Sequence, residues 1–337
     1  MGQISEIWKN LSYNQMCFLA MLVPMFTFFP KIYTYSDSFS RQLKLERPDY
    51  DSVQWSDLIP MLLVVPLFTV IKRICKHLMT PYFEGKLSKK YNGNALKLKV
   101  YKSTRNFFKI FYFTFITLFG FYVLNGTNYQ TKSMFGNGDI RYLYSDWPYQ
   151  EMPRHLKLYY LIGLSYHAED TIAHFFHPIQ NDFFEMLLHH YITLMLVLGS
   201  YMTSFWNIGL IVMIQMDNGD AIGSACKAFM DFVPVPVVLI NYLMILFSWI
   251  YFRDIIFAIE TFWQGCLFGQ VLINGETSFH IYSIILLMGL ILLNLYWTFL
   301  FFRMGYRFIS KGEVKDLQNP IEDLKNKKLK EKIENCS

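Results

Sequence analysis

Apolar residues in this chain are gathered into runs of membrane-spanning length, and nothing else in the sequence restricts the fold as strongly. A bilayer core about 30 Å thick takes roughly 20 helical residues to cross. Inside it only helices or closed barrels satisfy the backbone hydrogen bonds. Runs over 14–32, 57–73, 107–125, 155–177, 183–201, 205–229, 233–262 and 281–303 predict eight crossings, of which 155–177 is the least hydrophobic. Composition agrees: 53% hydrophobic and 18% aromatic against 17% charged residues describes a polytopic membrane protein and excludes a soluble core. The expected fold class is all-α, a polytopic membrane helical bundle of about eight transmembrane helices. It divides into 1–102, with two spans and a basic loop, a bundle over 103–305, and a charged tail over 306–337.

Lysine and arginine set the orientation, because basic loops resist translocation. Between the second and third runs stand Lys72, Arg73, Lys76, Lys86, Lys89, Lys90, Lys97, Lys99, Lys102 and Arg105, with Glu84 as the one acid. This segment should face the cytosol. The tail, with Arg307, Lys311, Lys315, Lys327, Lys328 and Lys330, should face the same side. Six crossings between them satisfy both, and the two termini are then cytosolic. Cys17, Cys75, Cys226, Cys266 and Cys336 have no metal-type spacing, and a disulfide framework is not expected. The first apolar run lacks a small-residue cleavage site and reads as a retained span.

Against this apolar background the ionisable residues at bilayer depth stand out, since their burial is costly and tends to mark function. His189 and His190 lie in the fifth run, Asp217 and Asp220 in the sixth. The turn Met202-Thr203-Ser204 makes those two helices antiparallel neighbours. At about 1.5 Å per residue the histidines lie roughly 10 Å, and Asp220 roughly 13 Å, from the cytosolic end. Adjacent histidines diverge by about 100°, so at most one points at the aspartates. The fourth run adds His167, Asp170 and His174 on one face at comparable depth, while Glu169 points to a neighbouring helix. A lone buried histidine is more often a hydrogen-bonded structural group. Several costly groups converging in one layer indicate a hydrated site among three helices.

The stretch Asn181-Asp182-Phe183-Phe184-Glu185-Met186-Leu187-Leu188-His189-His190-Tyr191-Ile192-Thr193, followed by Ser200-Tyr201, Gly209 and Met216-Asp217-Asn218-Gly219-Asp220, resembles the signature of the ceramide synthases, members of the TLC-domain membrane family. Trp147-Pro148-Tyr149-Gln150 and Tyr159-Tyr160 resemble the family's Trp-Pro loop and Tyr-Tyr helix start, and the similarity covers roughly 103–263. The resemblance implies a TLC-type catalytic bundle over 103–305 that joins a fatty acyl group from acyl-CoA, a co-substrate and not a bound cofactor, to the amine of a long-chain sphingoid base. It implies His189, His190, Asp217 and Asp220 as catalytic residues, and Asp182, Tyr201 and Arg253 as substrate-binding ones; His167 and Asp170 join the substrate-binding set from their place in the same layer, not from the resemblance. Arg253-Asp254 also reads as an interior ion pair or a snorkelling arginine. The chain departs from the family pattern at Gln180-Asn181, where basic residues are usual, and at His167-Ala168-Glu169-Asp170, where apolar residues are.

A sphingoid amine must lose a proton before it attacks a thioester, and a neutral imidazole, with a reference pKa of about 6.5, suits that work. One histidine would act as general base or be acylated first; Asp217 or Asp220 would orient it, and the other aspartate would meet the ammonium group. The ten basic residues of 72–105 are candidates for the phosphates of coenzyme A, although such loops are basic for topology alone. The acyl tail would thread among helices 107–125, 205–229 and 233–262. Two other readings remain: a non-catalytic TLC protein, lipid-binding or a structural subunit of a larger complex, and a histidine-ligated metal enzyme using His167, His174, His177, His189 and His190. Homodimers or accessory subunits are open partners, and no nucleic acid is expected. The family implies the endoplasmic reticulum, with a mitochondrial membrane as the other option.

Overall fold

A computed structural model describes residues 13–176, 182–267, 269 and 278–311. Eight long helices occupy the described residues: α1 (Tyr13–Glu46), α2 (Met61–Leu87), α3 (Gly93–Leu124), α4 (Arg154–Phe176), α5 (Phe183–Met202), α6 (Trp206–Phe229), α7 (Val235–Trp249) and α8 (Ser278–Lys311). Helix α7 continues as a π-helical segment, Ile250–Leu267. Each predicted apolar run falls on one of these helices. Among the described residues five segments are long and apolar enough to cross a membrane: Trp55–Leu87, Gly93–Leu124, Phe183–Met202, Val235–Leu267 and His280–Ser310. Helices α1, α4 and α6 fall outside that set, so the eight crossings expected from sequence are not all matched, and the reason is plain for α4 and α6. They carry Glu169 and Asp170, and Asp217 and Asp220, and they place most of these groups inside the bundle.

The basic segment differs from the loop expected of it. Helices α2 and α3 run straight through it, leaving only 88–92 as the connection. Its lysines and leucines are good helix formers, and Gly93, at φ +57°, supplies the left-handed backbone needed between the two helices. Eight of its ten cations therefore stand on the two helices, with Lys89 and Lys90 in the connection. His177, Gln180, Asn181 and the tail beyond Lys311 lie outside the described residues.

One apolar core runs from Ile32 in α1 to Trp297 in α8. Close approach of α3 to α6 depends on Gly120, where a Cβ would lie 2.6 Å from Ile214 Cγ1. The α5–α6 connection is as tight as the sequence predicts. Ser204 adopts φ +62°, Phe205 N–H donates to Ser200 O at 2.9 Å, and the Thr203 hydroxyl donates to Gly199 O at 2.7 Å. Above this turn the Trp-Pro loop closes the bundle. Trp147 stacks on Phe205 at 5.1 Å, and the Tyr50 hydroxyl donates to Gln150 O at 2.7 Å.

Gly209 is fixed by its neighbours, not by its backbone angles. The Tyr160 hydroxyl donates to Trp206 O at 2.9 Å, and a Cβ on Gly209 would lie 1.9 Å from that hydroxyl and 2.7 Å from Ser200 Oγ. Gly209→Ala must displace Tyr160 and break its hydrogen bond. The expected loss is about 1–3 kcal/mol of stability, read as a lower thermal midpoint in detergent; an unchanged midpoint would show that α4 and α6 can separate freely here.

Candidate active site

The basic end of the bundle holds a cavity enclosing about 1500 Å³ of empty space, part of it open to the surroundings. It is walled by α3, α4, α5, α6, α7 with its π continuation, and α8. Helical periodicity delivers its polar lining. His167, Asp170 and His174 come from one face of α4, Asp182 from the start of α5, His189 and His190 from the next turns of α5, Asp220 from α6 and Arg253 from the π segment. At about 1.5 Å per residue, His190 lies roughly 12 Å along its helix from Asp182. Six of these eight, His167, Asp170, His174, His189, His190 and Asp220, are the ones the depth argument puts in one layer; Asp182 and Arg253 enter through the resemblance alone.

The two adjacent histidines face different partners. His190 is buried, its ring 5.2 Å from that of His174 and 5.9 Å from that of His189. His189 turns toward α8 and meets Trp297 edge-on at 5.5 Å. Both Nδ1 atoms are buried without a hydrogen-bond partner. His174, by contrast, is engaged: its Nε2 lies 3.2 Å from Phe183 O and its ring stacks on Phe183 at 4.5 Å.

The aspartates do not hold the imidazoles as the triad expectation had it. Asp220 is paired with Arg253, Nη2 to Oδ1, at 2.8 Å. Arg253 is buried, and its guanidinium lies 3.9 Å from the centre of the Trp249 ring. Of the two readings of Arg253, the interior ion pair is the one realised. Asp217, one turn earlier and buried, does not line the cavity; it lies within electrostatic reach of Asp220, Arg253, Tyr112 and Tyr159. Three residues advance a helix by about 300°, leaving a 60° offset, enough to turn Asp217 into the α3–α4 packing. Tyr201 also stands apart. Its hydroxyl donates to Asp57 Oδ2 at 3.4 Å, roughly 16 Å along α5 from His190.

Asp170 has two lysine partners. Lys72 of α2 reaches it at 3.0 Å and Lys109 of α3 at 2.9 Å. Lys72 also pairs with Glu169, which accepts a second bond from the Thr69 hydroxyl at 3.2 Å. Glu169 therefore points to a neighbouring helix, as predicted. Lys109 and Lys227, which line the cavity, and the role of Lys72 in holding Asp170 escaped the sequence reading. A lysine embedded in Asn106-Phe107-Phe108-Lys109-Ile110 was the available signal.

Among the described residues no group of three or more His, Cys, Asp and Glu side chains is arranged to hold a metal ion. A second cavity, almost wholly apolar, lies toward the Trp-Pro end between α5, α6, the π segment and α8, and encloses about 510 Å³. Leu196, Val212, Met213, Ile284 and Leu287 line it.

This arrangement offers two imidazoles each with a buried, unpartnered Nδ1, a carboxylate anchored by arginine, and a basic mouth. It can accept a proton from an amine and hold an ammonium group and an anion nearby. The family model described as TLC domain matches residues 102–303, more than half of the chain and all of the cavity-lining residues of α4–α7. Sphingosine N-acyltransferase lac1 of Schizosaccharomyces pombe is 27% identical over 260 residues, 74% of this chain and 66% of the relative. Ceramide synthase hyl-1 of Caenorhabditis elegans is 23% identical over 239 residues, 67% of this chain and 63% of the relative. Ceramide synthase LOH2 of Arabidopsis thaliana is 26% identical over 265 residues, 75% of this chain and 85% of the relative. The chain spans a little under two thirds of the length of the first two. It belongs to the TLC-domain family.

Proposed function

We propose that this protein transfers a fatty acyl group from acyl-CoA to the amine of a long-chain sphingoid base, releasing coenzyme A and forming a (dihydro)ceramide. The observation that carries the reading is the single cavity in which His189 and His190 keep unpartnered ring nitrogens beside the anchored carboxylate of Asp220. In the direct route, His190 takes a proton from the ammonium group and the freed amine attacks the thioester carbonyl. His190 passes that proton to water at the cavity mouth; as the C–N bond forms the nitrogen gives its second proton to His190, the C–S bond breaks, and the thiol leaves with that second proton. In the stepwise route an imidazole nitrogen attacks first, the thiol departs, and the amine displaces the imidazole from the acyl group. Both routes use the same residues and release coenzyme A as the thiol together with one proton to solvent.

Asp220, held by Arg253 and still about one third exposed, is the carboxylate we assign to the incoming ammonium group. Arg253 acts through Asp220 and is a positioning residue. Asp182, His167 and Asp170 complete the polar wall, with Asp170 restrained by Lys72 and Lys109. The acyl tail runs from the histidine layer toward the apolar cavity at the Trp-Pro end. Eight crossings, with both termini on the coenzyme A side in the endoplasmic reticulum membrane, complete the proposal.

Purified protein supplied with a sphingoid base and acyl-CoA should yield the amide. Asp220→Asn should raise KM for the amine by about tenfold, the value of a charge-assisted contact, with KM for acyl-CoA changed far less. Equal effects on the two substrates would remove Asp220 from the amine site. No amide from the intact chain would favour the non-catalytic, lipid-binding alternative.

A further inference from the structure

Outside the histidine cavity the most unusual feature is a second basic space. A cleft enclosing about 1110 Å³ of empty space opens between α2, α3 and α4, and Lys72, Arg73, Lys76, Arg105 and Lys109 all line it. Only one carboxylate, Glu169, faces it. Lys72 and Lys109 are neutralised by Glu169 and by Asp170 behind it. Among the described residues no carboxylate pairs with Arg73, Lys76 or Arg105. Lys76 is placed over the Tyr101 ring at 5.2 Å, and Arg105 has a buried Nε with no hydrogen-bond partner. Three uncompensated cations facing one cleft make a site for an anion.

The walls show which kind of anion. Val65, Phe108, Ile172 and Phe176 line the same cleft, with Ile172 and Phe176 strongly exposed, and the outer side of α2 beside it presents Leu67, Ile71, Ile74 and Leu78. The cleft therefore joins a phosphate-binding mouth to an apolar flank. The acyl chain of acyl-CoA is assigned to the histidine cavity and its apolar continuation, so the exposed flank of α2 is left to a lipid of the surrounding bilayer, its headgroup among the cations and its chains along the flank.

We infer that this cleft binds the phosphate headgroup of an anionic phospholipid from the surrounding bilayer, with Arg73, Lys76 and Arg105 recognising it. Arg105 and Lys109 line both this cleft and the histidine cavity. A headgroup here competes with Asp170 for Lys72 and Lys109, and so reaches the site without entering it. The binding itself does not depend on the chain being an acyltransferase.

The test uses the full chain in nanodiscs of phosphatidylcholine, with and without phosphatidylglycerol, and native mass spectrometry to count retained lipid. Phosphatidylglycerol should be retained in preference. Affinity should fall by roughly fivefold for each cation removed, so the R73Q/K76Q variant should lose most of the preference. Both positions are exposed, and the thermal midpoint should hold; the single K76Q variant gives the same reading if the double variant does not fold. Equal retention of the two lipids, or a preference that survives the substitutions, overturns the proposal. Displacement of phosphatidylglycerol by coenzyme A from the intact chain, lost with the same substitutions, would assign the cleft to the nucleotide instead.

Discussion

Replacing His190 by alanine lowers amide formation by about two to four orders of magnitude, the range contributed by a positioned general base, while the protein remains folded. His190 is the buried member of the pair and lies between His174 and His189. Removing its ring opens space inside the cavity but severs no hydrogen bond. The thermal midpoint should accordingly move much less than the rate. His189→Ala should be the milder change if His190 is the base, because His189 is directed at Trp297. If both single variants lose the same activity as the double variant, the rings act as one unit. The measurement is initial rate against amine concentration, with the thermal midpoint of each variant taken alongside.

The second large effect is on stability. Asp170 is nearly buried, with two lysines within 3.0 Å, and the three side chains link α2, α3 and α4. Asp170→Ala leaves two ammonium groups in a low-dielectric interior with only Glu169 to share. Breaking a buried pair from one side costs about 3–5 kcal/mol, chiefly from the uncompensated charge left behind. Lys109→Met should be costly in the native background and much less so once Asp170 is gone. The difference, about 0.5–3 kcal/mol for groups in contact, is read from a double-mutant cycle on denaturation in detergent. Additive effects would mean that the lysines are solvated and that Asp170 does not hold the three helices together.

Much of this layer was legible because helical rise converts residue number into depth. His167, Asp170, His189, His190 and Asp220 lie on three helices, and counting inward from the connections places them together. The cavity contains all five. Depth, however, says nothing of azimuth. Asp217 and Asp220 share a helix face to within 60°, and that offset is enough to put one in the cavity and the other in the packing. Partner choice between helices is equally hidden. Arg253 lies 33 residues after Asp220, and no spacing rule announces that they meet.

Lys72 shows a different limit. It stands among ten cations whose density already has an explanation in topology, so nothing in the sequence singles it out as a partner of Glu169 and Asp170. Its helical setting, which aims it at α4, is not legible in a basic segment whose composition reads as a loop. Tyr201 was carried by the resemblance alone. The structure gives it a structural role at the opposite end of α5, against Asp57.

Acyl transfer by the purified intact chain tests the central claim most directly. The chain, reconstituted with a labelled long-chain acyl-CoA and a sphingoid base, should form the labelled N-acyl product with stoichiometric release of coenzyme A. His190→Ala, folded to the same thermal midpoint, should form almost none. An intact chain that makes no amide, or a His190→Ala variant that makes it at an undiminished rate, would contradict the account.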